Sequence, residues 1–357
     1  MPSSDPRRTL GVVAVLLAEA AFASRAEAQP QPQNTQGFAV ERFYPSAPGA
    51  GWFFMDDLDM RGGFGGAMSL TTGYARAPLQ VTDSLHHLAV VSDRAFADFA
   101  FAATYDRFRV YFNLDAPLLT QGQSGAVGDY AFTAPSVDPG ASPDTFADPR
   151  VGVDARLLGQ AESPFRLGAS AQLIIPNGNR SDYDTDGTYR AMGRILFAGN
   201  AGLFAYAGQM GVHVRPLDDS PAPGSPQGSE LLFGVAGGAR VPLRGRYPRA
   251  FVVGPEVSGA TAFRSFLSST GTALEGLLTG RLEGTADDGP QIRIKLGAGT
   301  GLTQHFGAPE WRLLFAIELF DHSSDRDKDG VSDSQDACPD APGARTHDVK
   351  TNGCPTP

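Results

Sequence analysis

Between about Ala67 and Phe320 the chain repeats a period-two alternation of apolar and polar residues in segment after segment, and nothing else in it constrains the fold as much. Trp311, Leu313, Phe315, Ile317 and Leu319 point one way, while Arg312, Leu314, Ala316, Glu318 and Phe320 point the other. The same rhythm runs through Gln291–Gly299, Phe165–Leu173, Arg150–Leu157 and Phe108–Asp115, and less cleanly through 67–79, 88–104, 189–198, 202–214, 229–241, 249–260 and 272–283. That makes about twelve strands, most of them near the ~9–11 residues a tilted strand needs to cross a bilayer.

A soluble β-sandwich also alternates, so the second face decides. Here it carries Arg, Glu, Asp, Gln and many Gly, not the Lys/Glu/Thr mixture of a solvated sheet. Such a face suits a water-facing lumen in which opposite charges look across at one another. Tyr74, Trp311, Tyr189 and Phe165 lie near segment ends, where interfacial aromatics belong. A longish link follows the first strand, and long links (117–147, 176–188, 215–228, 261–271) alternate with short ones (105–106, 159–164, 199–200, 242–248, 284–289). The expectation is all-β: a transmembrane antiparallel up-and-down β-barrel of about twelve strands over 67–320, with a short irregular tail. An even strand number leaves both termini on the periplasmic side of the outer membrane. The runner-up is a secreted β-sandwich adhesion or binding protein.

The expected lumen face carries Arg109, Arg156, Arg166, Arg194, Arg240, Glu256, Glu275, Arg281, Arg293, Lys295, Arg312 and Glu318, joined by Asp154, Arg190, Glu230 and Glu283. Two readings follow: a salt-bridged lumen that makes a structural barrel, or a charge-lined pore for small solutes. Ten bases against six acids favour anions if the channel is continuous. Segment 37–60, aromatic-rich and aperiodic, is placed to fold into the lumen and close it, which leads to a narrow or gated pore.

Export is written at the start. Arg7 and Arg8 precede an apolar run, Leu10–Phe22, and Ala26-Glu27-Ala28 fits a cleavage site, so 1–28 reads as a signal peptide and 29–66 as leader and plug. The net charge of −10 argues against nucleic acid as a partner. Outer-membrane lipid is the expected surrounding.

Residues 321–357 form the tail. Counted from Asp325, carboxylates stand at positions one, three, five, nine and twelve (Asp325, Asp327, Asp329, Asp333, Asp336), with Gly330 at six and the Val331 carbonyl at seven. This is the oxygen order of a calcium loop, with Asp336 replacing the usual closing Glu. Cys338 and Cys354, the only cysteines, lie close together in an exported chain and are expected to form a disulfide. Acidic loop followed by Cys338-Pro339-Asp340 resembles a thrombospondin type-3 repeat. Barrel and tail together, with Phe38-Ala-Val-Glu-Arg-Phe-Tyr-Pro45 and Trp52-Phe-Phe-Met-Asp-Asp-Leu-Asp59, resemble the OmpA-like proteins of Gram-negative bacteria. The resemblance implies an envelope role with a calcium-binding periplasmic linker. Relatives of that kind continue into a peptidoglycan-gripping domain; this sequence stops at Pro357, so wall binding is not carried over.

Three other constellations carry less. Asp182-Tyr-Asp-Thr-Asp-Gly187 repeats half a calcium loop but has Arg190 and Gly193 where the shell should close, which favours an exposed acidic loop. Gly62–Gly66 and Gly297–Gly301 lack the strand-to-helix context of a phosphate cradle. A lipid hydrolase needs Ser and His together on an outer rim, and His86, His87, His213 and His305 share no such face with a serine, so no enzyme is expected.

Overall fold

The computed structural model describes residues 33–60, 64–83, 86–138, 146–161, 163–217, 225, 227–243, 250–283, 289–303, 305–322, 327, 329, 331, 333 and 335–355. The signal segment, Asp325 and Gly330 lie outside them.

Alternation closes into a cylinder. Twelve strands form one antiparallel barrel: β2 (Phe64–Thr82), β3 (His87–Tyr105), β4 (Phe108–Gln121), β7 (Arg150–Leu158), β8 (Arg166–Ile174), β9 (Arg190–Ala201), β10 (Phe204–Val214), β11 (Glu230–Pro242), β12 (Ala250–Ala262), β13 (Thr272–Glu283), β14 (Gly289–Gly301) and β15 (Trp311–His322). The first and last pair in register from Trp311↔Arg76 to Phe320↔Ala67, so no edge remains to template aggregation. Phe101, Phe108, Val110, Ile195, Val235, Leu278, Leu296 and Leu313 are exposed on the outside, while Arg109, Arg293, Lys295 and Glu318 on the same strands are buried inside. Apolar outside and ionic inside inverts a soluble protein; it is the pattern of an outer-membrane barrel.

The connections differ in detail from the sequence expectation. Strand β4 runs on to Gln121, and segment 117–147 also contains β5 (Gly125–Val127) and β6 (Tyr130–Phe132). Thr82 pairs with His87, so the first hairpin is tight, and its long strands rise beyond the barrel. Gly199 and Asn200 are paired with Tyr206 and Ala205, which moves that turn to 202–203.

The larger correction concerns the N-terminal side. Strand β1 (Gln33–Asn34) adds in parallel to β6, forming a small sheet at the mouth that carries the long connections. Phe38 packs there edge-to-face with Phe306 (5.1 Å) and Tyr183 (5.9 Å). From that mouth the chain descends through the lumen until Arg156, near the short-turn mouth, donates to the carbonyls of Leu58 and Met60. It then enters β2 at Phe64, beside the β3–β4 turn. The described chain therefore begins at one mouth and leaves the barrel at the other, at His322. Strand parity alone placed both ends on one side; it omits a thirteenth, non-strand passage.

That passage packs as a core. Phe43, Trp52, Phe53, Phe54 and Met55 form one buried cluster with wall residues Phe96, Val252, Leu277 and Leu314. Wall glycines make the room. A Cβ at Gly238 would meet the Trp52 ring at 3.0 Å, one at Gly297 the Phe53 ring at 2.9 Å, and one at Gly168 the Leu58 side chain at 2.8 Å. Gly51, at φ 92°, supplies the left-handed backbone for the bend that lets Asp57 N–H reach Ala50 O (2.8 Å).

Candidate functional site

The inward charges of the wall are buried, so each needs a partner, and the plug 37–60 supplies many of them. At the long-connection mouth Arg312 is held between Glu275 (2.7 Å) and Glu41 of the plug (2.8 Å). Arg42 of the plug pairs with Glu230 (2.9 Å). Near the short-turn end of β4, Arg109 bridges Asp154 (2.7 Å) and Asp56 of the plug. Glu256 accepts the backbone N–H groups of Phe53 (3.0 Å) and Phe54 (2.8 Å) and the Thr279 hydroxyl (2.6 Å). Lys295 donates to Trp52 O (3.1 Å) and pairs with Glu318 (2.6 Å), which also takes Arg293 (2.9 Å). Arg281 pairs with Glu283 (3.0 Å) and lies over the Trp52 ring at 4.7 Å.

The remaining members of the expected lumen set sit as follows. Arg194 is half-buried and donates to Gln209, Ser170 and Tyr111. Arg156 holds the plug carbonyls already named. Arg166 is buried, 1 % exposed. Arg240 is half-exposed at the short-turn rim, paired with Glu283 (2.8 Å). Arg190 pairs with Asp148 (2.8 Å).

Sequence reasoning missed a second layer near the long-connection mouth. Arg94 pairs with Asp184, Arg150 with Asp98 (2.6 Å), and Arg215 with both Asp186 and Glu230 (2.8 Å each). The expected exposed acidic loop is thereby corrected: Asp184, Thr185 and Asp186 are buried, and arginines take the place a cation would have. Asp186 also accepts the Ala39 N–H (2.9 Å), tying the plug's start to that loop. Burial raises its pKa, but Arg215 and Arg190 outweigh this and hold it well below the usual range. His305, in the 302–310 connection, is pushed down to about 4 by burial and then by Arg42.

The histidines are engaged structurally. His213 lies beside Glu230 (3.4 Å) and against Tyr44, His305 on Phe306, His86 on Asp83 and His87 on Gln80. A cleft of about 30 Å³ lined by Arg42, Tyr44, Phe54, Arg194 and Gln209 has room for ordered water but not for a solute.

In the tail, one carboxylate oxygen each from Asp327, Asp329 and Asp336 converge within 4.8 Å of one another. Two oxygens at ordinary Ca–O distances from one ion, ~2.3–2.6 Å, are separated by no more than about this. Backbone donors set the cluster: Val331 N–H to Asp329 (2.8 Å), Gly343 N–H to Asp329 (2.9 Å) and Cys338 N–H to Asp336 (2.7 Å). Oδ2 of Asp336 is buried without a hydrogen-bond partner. Asp333 is half-buried close by in sequence, and the Val331 side chain is buried. Cys338 and Cys354 are joined, Cα–Cα 5.0 Å, closing the chain behind the cluster. The residues present fit a hard divalent cation.

No family model and no curated protein matches the chain. Among solved structures it is similar to an outer membrane channel from Pseudomonas putida F1 (14 % identity, 73 % of this chain and 95 % of that one, TM-score 0.45). It is also similar to the β domain of the Bordetella autotransporter BrkA (12 %, 72 % and 98 %, TM-score 0.37) and to the CymD monoaromatic hydrocarbon channel (11 %, 75 % and 90 %, TM-score 0.35). At TM-scores below 0.5 these likenesses add nothing to what the barrel's own strand pairing and burial establish: the protein is an outer-membrane-type β-barrel of twelve strands with ionic side chains on its inner wall.

Proposed function

We propose that the protein is a gated outer-membrane channel for small solutes, closed at rest by its own segment 37–60, with a calcium-binding tail on the periplasmic side. The observation that carries this is how the plug is fastened. Its backbone is gripped by Glu256, Lys295, Arg150 and Arg156, and its acids by Arg109 and Arg312. Water replaces such polar attachments at small cost, and the wall left behind is that of an aqueous pore. Short turns face the periplasm in barrels of this type, so the plug enters from outside and the tail hangs inside.

The glycine clearances under Trp52, Phe53 and Leu58 favour a second reading, a permanently filled structural barrel. Single-channel recording in a planar bilayer separates the two. A channel is near-silent at low voltage, opens at higher voltage, and opens more often in Glu256→Gln, which loosens the grip on Phe53 and Phe54. A cross-link between cysteines in Met55→Cys/Gly234→Cys, where a Gly234 Cβ would touch Met55, abolishes opening. Silence in wild type and in Glu256→Gln at every voltage sinks the channel reading and leaves the structural one.

A further inference from the structure

The final position of the N-terminal segment and its delivery route do not match. The chain's start reads as a signal that delivers it to the periplasm. Strand β1 nevertheless stands at the long-connection mouth, which faces outward because short turns face the periplasm in barrels of this type. Residues 33–36 have therefore crossed the outer membrane. Hydrocarbon offers no route to Gln33, Asn34, Thr35, Gln36, Glu41 and Arg42, whose polar groups lipid cannot satisfy. The lumen is the remaining path, and the chain from Phe43 to Met60 still lies along it.

The wall holds that stretch at many backbone atoms. Glu256 accepts the N–H groups of Phe53 and Phe54, Lys295 donates to Trp52 O, Arg150 to Pro45 O (3.3 Å), and Arg156 to the Leu58 and Met60 carbonyls. Such contacts read no side chain, so successive residues of a non-helical chain can occupy them in turn. The outer end is latched by bonds that form only once it has emerged: Gln33 N–H to Asp129 O (2.6 Å) and Thr35 N–H to Ala131 O (2.9 Å). Gly37 lies so close to the 176–188 connection that a Cβ would fall on the Arg180 carbonyl, and Val40 N–H reaches Tyr183 O (3.1 Å). Two outer connections thus embrace the segment, which is in place before they close. Inside, Trp52 and Phe53 fill the room at Gly238 and Gly297 and stop the chain there.

We infer that the lumen exports the chain's own N-terminal segment as a single unfolded polypeptide. The segment comes to rest with β1 paired to β6 outside and the aromatic cluster lodged within. The inference rests on the orientation and export signal of the reading above, not on gating, and holds whether or not the finished barrel conducts. Its cargo class follows from the path: flexible, unfolded chain passes, and a covalently closed loop does not.

The test is thiol labelling with a membrane-impermeant maleimide on intact cells that make the full chain. The native cysteines are joined, so an added thiol is the reactive one. Gln36→Cys, at an exposed position of the outer mouth, is expected to label in intact cells. Val349→Cys, at an exposed position of the tail, labels only once the outer membrane is opened. An epitope inserted between Pro32 and Gln33 should likewise bind antibody on intact cells. The same epitope carrying a two-cysteine loop should lose that signal in oxidising medium and regain it in cells grown with a thiol reductant. Labelling of Gln36→Cys only after opening, with a normal heat-dependent gel shift, overturns the inference, because the segment then stays on the periplasmic side. Labelling of Val349→Cys in intact cells overturns the orientation as well, whereas the channel reading is judged by conductance alone. Equal surface signal from open and closed loops overturns passage as an unfolded chain.

Discussion

The lumen and the tail both crowd carboxylates into a small volume, and they differ in where the neutralising charge comes from. In the lumen it comes from the chain: Asp56 and Asp154 share Arg109, Glu41 and Glu275 share Arg312, and Glu318 takes Lys295 and Arg293. In the tail, Asp327, Asp329 and Asp336 converge while backbone amides, not side-chain cations, are the donors described at Asp329 and Asp336. A closed barrel brings residues hundreds of positions apart face to face, so it can pair internally. A short, aromatic-free tail has too little burial to hold its acids together and is suited to an external cation.

The sharpest way to break this comparison is to remove calcium. Chelation is expected to expose 327–355 to protease while leaving the barrel's heat-dependent gel shift unchanged. Asp329→Asn or Asp336→Asn reproduces the effect at saturating calcium. Affinity in the ~10⁻⁴–10⁻³ M range of extracellular modules is expected. Equal cleavage with calcium and with chelator reduces the tail to a plain acidic extension.

The converse experiment removes the internal cation. Arg109→Met leaves Asp56 and Asp154 buried beside each other with no base, a loss of about 3–5 kcal/mol by analogy with broken buried pairs. The urea midpoint should fall accordingly, and adding Asp56→Asn should recover a large part. Additive losses in the double variant contradict a shared triad.

How much of this was legible follows from the same contrast. Arg109, Arg293 and Arg312 declare their inward face by parity with apolar neighbours, so the barrel and its lumen charges could be read. Partners could not: Glu41 and Arg312 are 271 positions apart, and only barrel closure makes them neighbours. The plug has no period because it is buried on all sides; its aromatic content was its only signal. Arg94 and Asp98 share the parity of Phe96 and Ala100 and were readable in principle, but the mixed composition of β3 hid them. Asp184 and Asp186 looked like an exposed acidic loop because nothing local reveals that Arg94 and Arg215 cover them. In the tail the signal was strictly local, a spacing of carboxylates of which Asp327, Asp329 and Asp336 lie together in the fold.

A smaller effect probes fit instead of charge. Gly297→Val places a branched side chain where a Cβ alone meets the Phe53 ring at 2.9 Å. Overpacking of that kind costs about 1–3 kcal/mol, and here it should appear as a displaced plug with more frequent channel openings. Phe53→Ala in the same background should relieve it. A wild-type conductance trace in Gly297→Val means the plug and wall are less tightly fitted than the glycine suggests.

The smallest expected effect is on pH, and it acts where plug and connections meet. His305 has a folded pKa of about 4 against an unfolded value near ~6.5, so the unfolded state binds more protons in between. Its contribution is fully present above ~6.5 and is lost as pH falls through about 4. Asp186, held below the usual carboxylate range chiefly by Arg215 against the opposing effect of burial, acts in the same direction. Its stabilisation is present above ~3.9 and fades below it. Both groups secure the upper plug: His305 adjoins Phe306, on which Phe38 packs, and Asp186 accepts the Ala39 N–H. Hydrogen exchange at Ala39 and Val40, corrected for intrinsic rates, should therefore quicken as pH is lowered from about 7 to about 2, first through the His305 range and then below ~3.9. His305→Gln, which cannot take up the proton, should flatten the upper part of that change and leave the lower, carboxylate part. An unaltered profile in His305→Gln would locate the acid sensitivity in Asp186 alone.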